Sequence, residues 1–270
     1  MPRRWAAHFY IKPVCTTIVK PSGEIALGEF KLAFDDSRGA FSGDASVELD
    51  ITDCSEAKRI LIDRIERELL PGLMLATGCG MEFDPDDIIL SYEGADARGV
   101  IITSVIKTSY KIQVGIASEA FTGELERYLY RIKGLNKLEQ EWLLRALRFW
   151  NKGAVERDPI DKFIHFYVAL EILAKRVLGF SDLNDRVINE IKKRCDVNLK
   201  YEIEGKEWDI HRIRTHLLHG GATNSKDFKE LDRAIEVANK ISDKLGNGVL
   251  NLVKIFLSGK CLSGEEQSPV

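Results

Sequence analysis

Proline almost disappears from this chain after Phe121, where Pro159 stands alone before Pro269. Over the same stretch leucines, charged residues and aromatics recur at spacings of three and four, the pattern of helices with one apolar face. Few breakers and a helical period together fold that region as helices, not as a sheet. The spacing predicts helices over about 121–133, 136–151, 159–178, 182–195, 207–219 and 226–257, each bounded by Gly, Asn, Asp or Pro. Asp158-Pro159 puts an N-cap residue directly before a first-turn proline, and Gly220-Gly221 stops the penultimate helix.

The residues before that boundary carry a different pattern. Phe9 to Val19 is rich in β-branched and aromatic residues, Glu24 to Phe34 alternates apolar with polar or small positions, and Ala45 to Ile51 repeats the alternation through Val47, Leu49 and Ile51. These are three candidate strands. Asp53 or Ser55 then caps a helix with Ala57, Ile60, Leu61, Ile65, Leu69 and Leu73 at helical spacing, and Pro71 and Gly72 mark its expected end. Ile88 to Tyr92 and Val100 to Ile116 follow as further strands. The expected fold class is therefore α+β: a small mixed β-sheet domain with one helix over 1–118, an all-α helical bundle over 119–260, and a flexible tail over 261–270.

At 270 residues the chain can bury a sizeable core, and 30% charged with 44% apolar residues describes a soluble globular protein. Even Val249 to Leu257, interrupted by Asn251 and Lys254, is too short to span a bilayer, and the Met-Pro-Arg-Arg-Trp start opens no signal-like apolar run. The expectation is a cytoplasmic protein with no membrane partner. Five cysteines, odd in number, scattered and without a Cys-x-x-Cys pair, read as reduced thiols and give no disulfide lattice or zinc knuckle. A net charge of −3 excludes a broad basic coat for long nucleic acid while leaving room for a local basic pocket.

Three of the five histidines crowd into His211 to His219. On a helix Ile210, Ile213 and Leu217 form the inward stripe, Arg212, His216 and His219 fall at i, i+4 and i+7 on the opposite face, and Arg214 lies beside the stripe. His216 and His219 have no third ligand at metal spacing, so no metal is expected. They also read as polar residues of a solvated face, with His219 at the helix end whose dipole favours a cation. The chain has no P-loop, Gly-x-Ser-x-Gly elbow or dinucleotide glycine fingerprint, so no cofactor is expected.

Arg214-Thr215-His216-Leu217-Leu218-His219-Gly220 resembles the Arg-x4-His-Gly signature that closes a core helix in domains of the HEPN superfamily. Upstream, Asp161 to Leu173 (Asp-Lys-Phe-Ile-His-Phe-Tyr-Val-Ala-Leu-Glu-Ile-Leu) resembles the Phe … Ala-Leu-Glu-x-Leu helix of the Apea-like branch, and Ala146-Leu147-Arg148-Phe149-Trp150 also fits that branch. The resemblance spans roughly 120–260 and implies an Apea-like HEPN helical bundle. Many HEPN proteins are metal-independent endoribonucleases; others dimerise or bind nucleic acid or nucleotides. The resemblance implies that His219 shuttles protons and Arg214 holds the scissile phosphate, and the chemistry suits both side chains. A 2′-hydroxyl nucleophile restricts such an enzyme to RNA. Because a helical wheel separates Arg214 from His219 by about 140°, a homodimer is expected, since in HEPN ribonucleases two protomers bring their motifs together in the dimer cleft. Thr215, His216 and Arg212 are supporting residues, Arg212 fitting a looser Arg-x4–6-His pattern.

Glu171 reads as an i, i+4 ion pair with Lys175, or as a polar neighbour that orients the arginine or a histidine. Lys192, Lys193 and Arg194 form the compact basic run, either a solvated helix terminus or a guide for an RNA backbone. Two functions follow from these readings. One is an endoribonuclease, with a defence or toxin-like role implied by the superfamily, and the other is a non-catalytic dimerisation or RNA- or nucleotide-binding module.

Overall fold

A computed structural model of the chain describes residues 3–15, 17–51, 53–93, 98–102, 114–203, 206–219 and 225–260. The expected tail over 261–270, the Gly220-Gly221 helix stop and the middle of the expected strand Val100 to Ile116 lie outside the described residues. The chain divides into two compact units, Met1–Tyr130 and Arg131–Val270.

The first unit is built on β1 (Arg3–Val14), β2 (Thr17–Lys20), β3 (Ile25–Leu27), β4 (Phe30–Asp35), β5 (Ala40–Leu49), β6 (Gly80–Glu93), β7 (Arg98–Ile102) and β8 (Val114–Ala117). The main sheet is larger than the sequence suggests, with six strands in the order β3-β4-β5-β1-β6-β7. Every pairing in it is antiparallel, and β2 and β8 form a separate parallel pair. Period-two alternation along β1 turns Trp5, Ala7, Phe9 and Ile11 into the core, where none is more than 1% exposed. His8 and Tyr10 point to the other face.

The expected helix is present but does not end at Pro71. α1 (Cys54–Arg64), capped by the Asp53 carboxylate on the Ser55 N–H, runs through a π-helical turn at Ile65–Leu69 into α2 (Leu70–Thr77). Proline cannot donate to the helix ladder and crowds the preceding turn. The π register, in which the Leu70 N–H reaches the Ile65 carbonyl, widens the turn just before Pro71 and lets the helix continue. Gly78, at φ 72°, supplies the left-handed stop instead. Gly72 has a packing role, because a Cβ there would lie 2.8 Å from Leu125 Cδ1.

The expectation of reduced cysteines is overturned. The register that pairs Val14 with Gly80 brings Cys15 at the end of β1 beside Cys79, and the two form a disulfide with Cα atoms 5.8 Å apart. Cys195 is also disulfide-bonded, and Cys54 is the free thiol among the described residues. A pair 64 residues apart leaves no spacing signal in a sequence; only the sheet register makes it.

α3 (Ala120–Lys133) crosses from the first unit into the second, which continues with α4 (Lys137–Val155), α5 (Pro159–Ile172), α6 (Asp185–Cys195), a hairpin of β9 (Lys200–Ile203) and β10 (Lys206–Asp209), α7 (Ile210–His219) and α8 (Ser225–Leu257). A second π turn, Leu173–Val177, extends α5 to nearly the length the spacing predicts. Asn136 and Glu139 form a capping box on α4, and Asp158 accepts the Ile160 and Asp161 N–H groups at the start of α5. One correction applies here: the helix expected from 207 begins at Ile210, because Lys206 to Asp209 pair with Lys200 to Ile203. Aromatic Tyr201 and Trp208 sit opposite each other in that hairpin and favour the pleated surface over a helical turn.

α4, α5 and α8 pack together around Phe166. A Cβ at Gly246 of α8 would lie 2.5 Å from Phe166 Cζ, and one at Gly153 of α4 would lie 2.8 Å from Phe166 Cδ1. Trp150 stands 6.1 Å from the Phe166 ring and donates its indole N–H to the Gly246 carbonyl at 2.7 Å in the core. Both glycines thus make room for one phenyl ring. Gly246→Val overfills that site and is expected to lower unfolding free energy by about 1–3 kcal/mol, read as a lower urea midpoint with an unchanged slope.

Candidate functional site

α7 leaves the β9–β10 hairpin with Ile210 and Ile213 fully buried, which fixes its rotation. The two arginines near its middle then face different ways. Arg212 and Arg214 are two residues apart, about 200° around a helix, and the structure sends them to separate surroundings.

Arg214 turns toward α5, where its guanidinium carbon lies 5.8 Å from the centre of the Tyr167 ring. Tyr167 is only 3% exposed, and its hydroxyl shares a 3.0 Å hydrogen bond with Nδ1 of His211, one helical turn before Thr215. The aromatic ring is therefore held at one end by the core and at the other by α7 itself. A cation over such a ring gains electrostatic attraction and loses freedom to wander. Thr215 is used locally: its hydroxyl donates to the His211 carbonyl at 2.9 Å, the back-bond that threonine makes inside helices. His219 is the last residue of α7; its side chain lies outside the described residues.

Arg212 and His216 turn the other way, toward α8. With Trp208, Lys229, Glu230 and Arg233 they line a pocket of about 280 Å³. Nε2 of His216 is 3.6 Å from a Glu230 carboxylate oxygen, and Arg212 and Arg233 both lie over the Trp208 ring, at 5.9 and 5.6 Å from its centre. Trp208 is 8% exposed, and its indole N–H has no hydrogen-bond partner among the described residues.

Glu171 sits in an ion-pair cluster. It holds the Lys175 ammonium at 2.9 Å, and Lys175 also holds Asp182 at 3.1 Å. The hydrogen bond from Lys175 draws the Asp182 carboxyl below the usual range, helped by the Leu183 N–H and by the positive fields of Lys175 and His211. Glu171, and then Asp182, push Lys175 above its ordinary value. In the basic run, Lys192 and Lys193 are exposed on the last turn of α6, whereas Arg194 pairs with Glu190 at 2.8 Å and lies 5.1 Å from the Phe180 ring centre. Among the described residues no group of three His, Cys, Asp or Glu is placed to hold a metal ion, and no helix is long and apolar enough to cross a membrane.

The structure thus separates Arg214 from Arg212 and His216, and adds residues that the sequence reading did not single out: Tyr167, His211, Trp208, Lys229, Glu230 and Arg233. Tyr167 lies inside the Phe … Ala-Leu-Glu segment, one position after Phe166. Lys229, Glu230 and Arg233 recur at helical spacing near the start of α8, a pattern that an ordinary solvated face also shows. Compared with protein-family models, curated proteins and solved structures, the chain shows no match.

Because the Tyr167 hydroxyl is buried against His211, Tyr167→Phe is expected to cost about 1 kcal/mol of stability while keeping the ring beneath Arg214. Urea unfolding followed by circular dichroism measures it.

Proposed function

We propose that this chain is a HEPN-type endoribonuclease that cleaves RNA without a metal ion, using Arg214 and His219 in a cleft formed by two copies of the helical domain. One observation carries the reading: the Arg214 guanidinium carbon lies 5.8 Å from the centre of the Tyr167 ring, which is fixed by the core and by the His211 hydrogen bond, five residues before the histidine that ends the same helix. A preset cation stabilises charge that develops on a phosphate without having to reorganise during the reaction.

In the proposed step His219 removes the 2′-hydroxyl proton, the 2′-oxygen forms a bond to phosphorus, and the P–O5′ bond breaks. Arg214 holds the non-bridging oxygens through the pentacoordinate state. The departing 5′-oxygen takes a proton from His219 of the second copy, so the products are a 2′,3′-cyclic phosphate and a 5′-hydroxyl. Two protomers are part of the reading because positions five apart on an ideal helix, as 214 and 219 are, differ by about 140°.

The test is cleavage of a fluorescent RNA panel in EDTA by wild type, Arg214→Ala and His219→Ala, each first shown to be folded and of wild-type oligomeric state. Wild type is expected to cleave and each variant to lose about 10²–10⁴-fold in rate. RNA left intact by wild type, or cleaved equally by His219→Ala, defeats the proposal. Tight, salt-sensitive RNA binding without cleavage would instead favour the non-catalytic binding module.

A further inference from the structure

The pocket on the opposite side of α7 has chemistry of its own. Its walls bring three permanent cations together, Arg212 from α7 and Lys229 and Arg233 from α8, with His216 alongside. Two carboxylates also line the walls: Glu207, 2.9 Å from the Lys200 ammonium, and Glu230, with Nε2 of His216 at 3.6 Å, so the three fixed cations outnumber them. A single carboxylate ligand is satisfied by one guanidinium fork; three converging cations suit a group with two negative charges and several acceptor oxygens. Trp208, in the same wall, presents its ring to two of these cations, with Arg212 and Arg233 at 5.9 and 5.6 Å from the ring centre, which holds both guanidinium groups at the pocket. The cavity, at about 280 Å³, is of the size that admits one small ligand group and not a folded partner.

We propose that this pocket binds a terminal phosphate, the dianionic group of a phosphomonoester, with Lys229, Arg233 and Arg212 as its anchoring cations. Two sources carry that group: a small phosphorylated metabolite such as a mononucleotide, or the 5′-phosphate of an RNA strand. The site is separate from Arg214 and does not depend on whether RNA is cleaved there.

Calorimetric titration of the full chain in phosphate-free, low-salt buffer tests the assignment. The probes are AMP, adenosine, and a hexaribonucleotide with either a 5′-phosphate or a 5′-hydroxyl, the RNA carrying 2′-O-methyl groups so that it cannot be consumed. Phosphate-dependent binding is expected, with AMP above adenosine or the phosphorylated RNA above its hydroxyl form. Lys229→Met and Arg233→Met should each weaken it by about tenfold. Lys244→Met, an exposed change elsewhere on α8, should leave it unchanged. Preference for AMP identifies a small ligand; a preference seen with the RNA pair alone identifies the RNA end. Equal binding of the phosphorylated and unphosphorylated members of both pairs overturns the proposal, and so does a loss that Lys244→Met shares, since that marks general attraction to a cationic surface. Circular dichroism of each variant separates loss of the site from loss of the fold.

Discussion

Phe166 lodges where α4, α5 and α8 meet, and it can do so because Gly153 and Gly246 present no side chain to it. Interiors are packed so closely that one extra methyl group at either glycine must move something. The contact sets α5 against both neighbours, and the Trp150 hydrogen bond to the Gly246 carbonyl fixes the level of α8. Tyr167 comes one residue after Phe166, about 100° around the helix. The ring that fills the core thereby aims its neighbour at α7, where it meets His211 and carries Arg214.

α7 therefore works as a divider. Its buried edge, Ile210 and Ile213, is narrow, and the polar residues on its two flanks enter different environments. On the α5 side one arginine rests on one fixed ring. On the α8 side two arginines, a lysine and a histidine gather around Trp208 in a pocket. A short helix of ten residues has little stability alone, so both arrangements rely on the packing that holds α5 and α8.

Much of the second unit was legible in the sequence because its helices carry strong punctuation. Asp158-Pro159 and Asn136 with Glu139 cap as their chemistry requires, and helix positions agree to within a few residues. β10 was read as the start of a helix and β9 was assigned to no element, since four-residue strands are too short to show a period. The π turn before Pro71 was hidden for a related reason: proline announces a break, and only the local register shows how the helix absorbs it. Arg212 and Arg214 could be named from the helix wheel, but not their partners, because Tyr167 and Arg233 are brought to α7 by tertiary packing. The Cys15–Cys79 disulfide depends in the same way on a strand register that no local pattern encodes.

The proposed reaction is cleavage of RNA through its own 2′-hydroxyl by side chains of α7, without a metal. The direct measurement is the identity of the new ends. RNA of defined sequence is incubated with the wild-type chain in EDTA, and the fragments are analysed by mass spectrometry. The account predicts 2′,3′-cyclic phosphate on the upstream fragment, 5′-hydroxyl on the downstream one, and no cut where a single 2′-deoxynucleotide replaces the cleaved position. Fragments ending in 3′-hydroxyl and 5′-phosphate, or cleavage that survives the 2′-deoxy substitution, would contradict it.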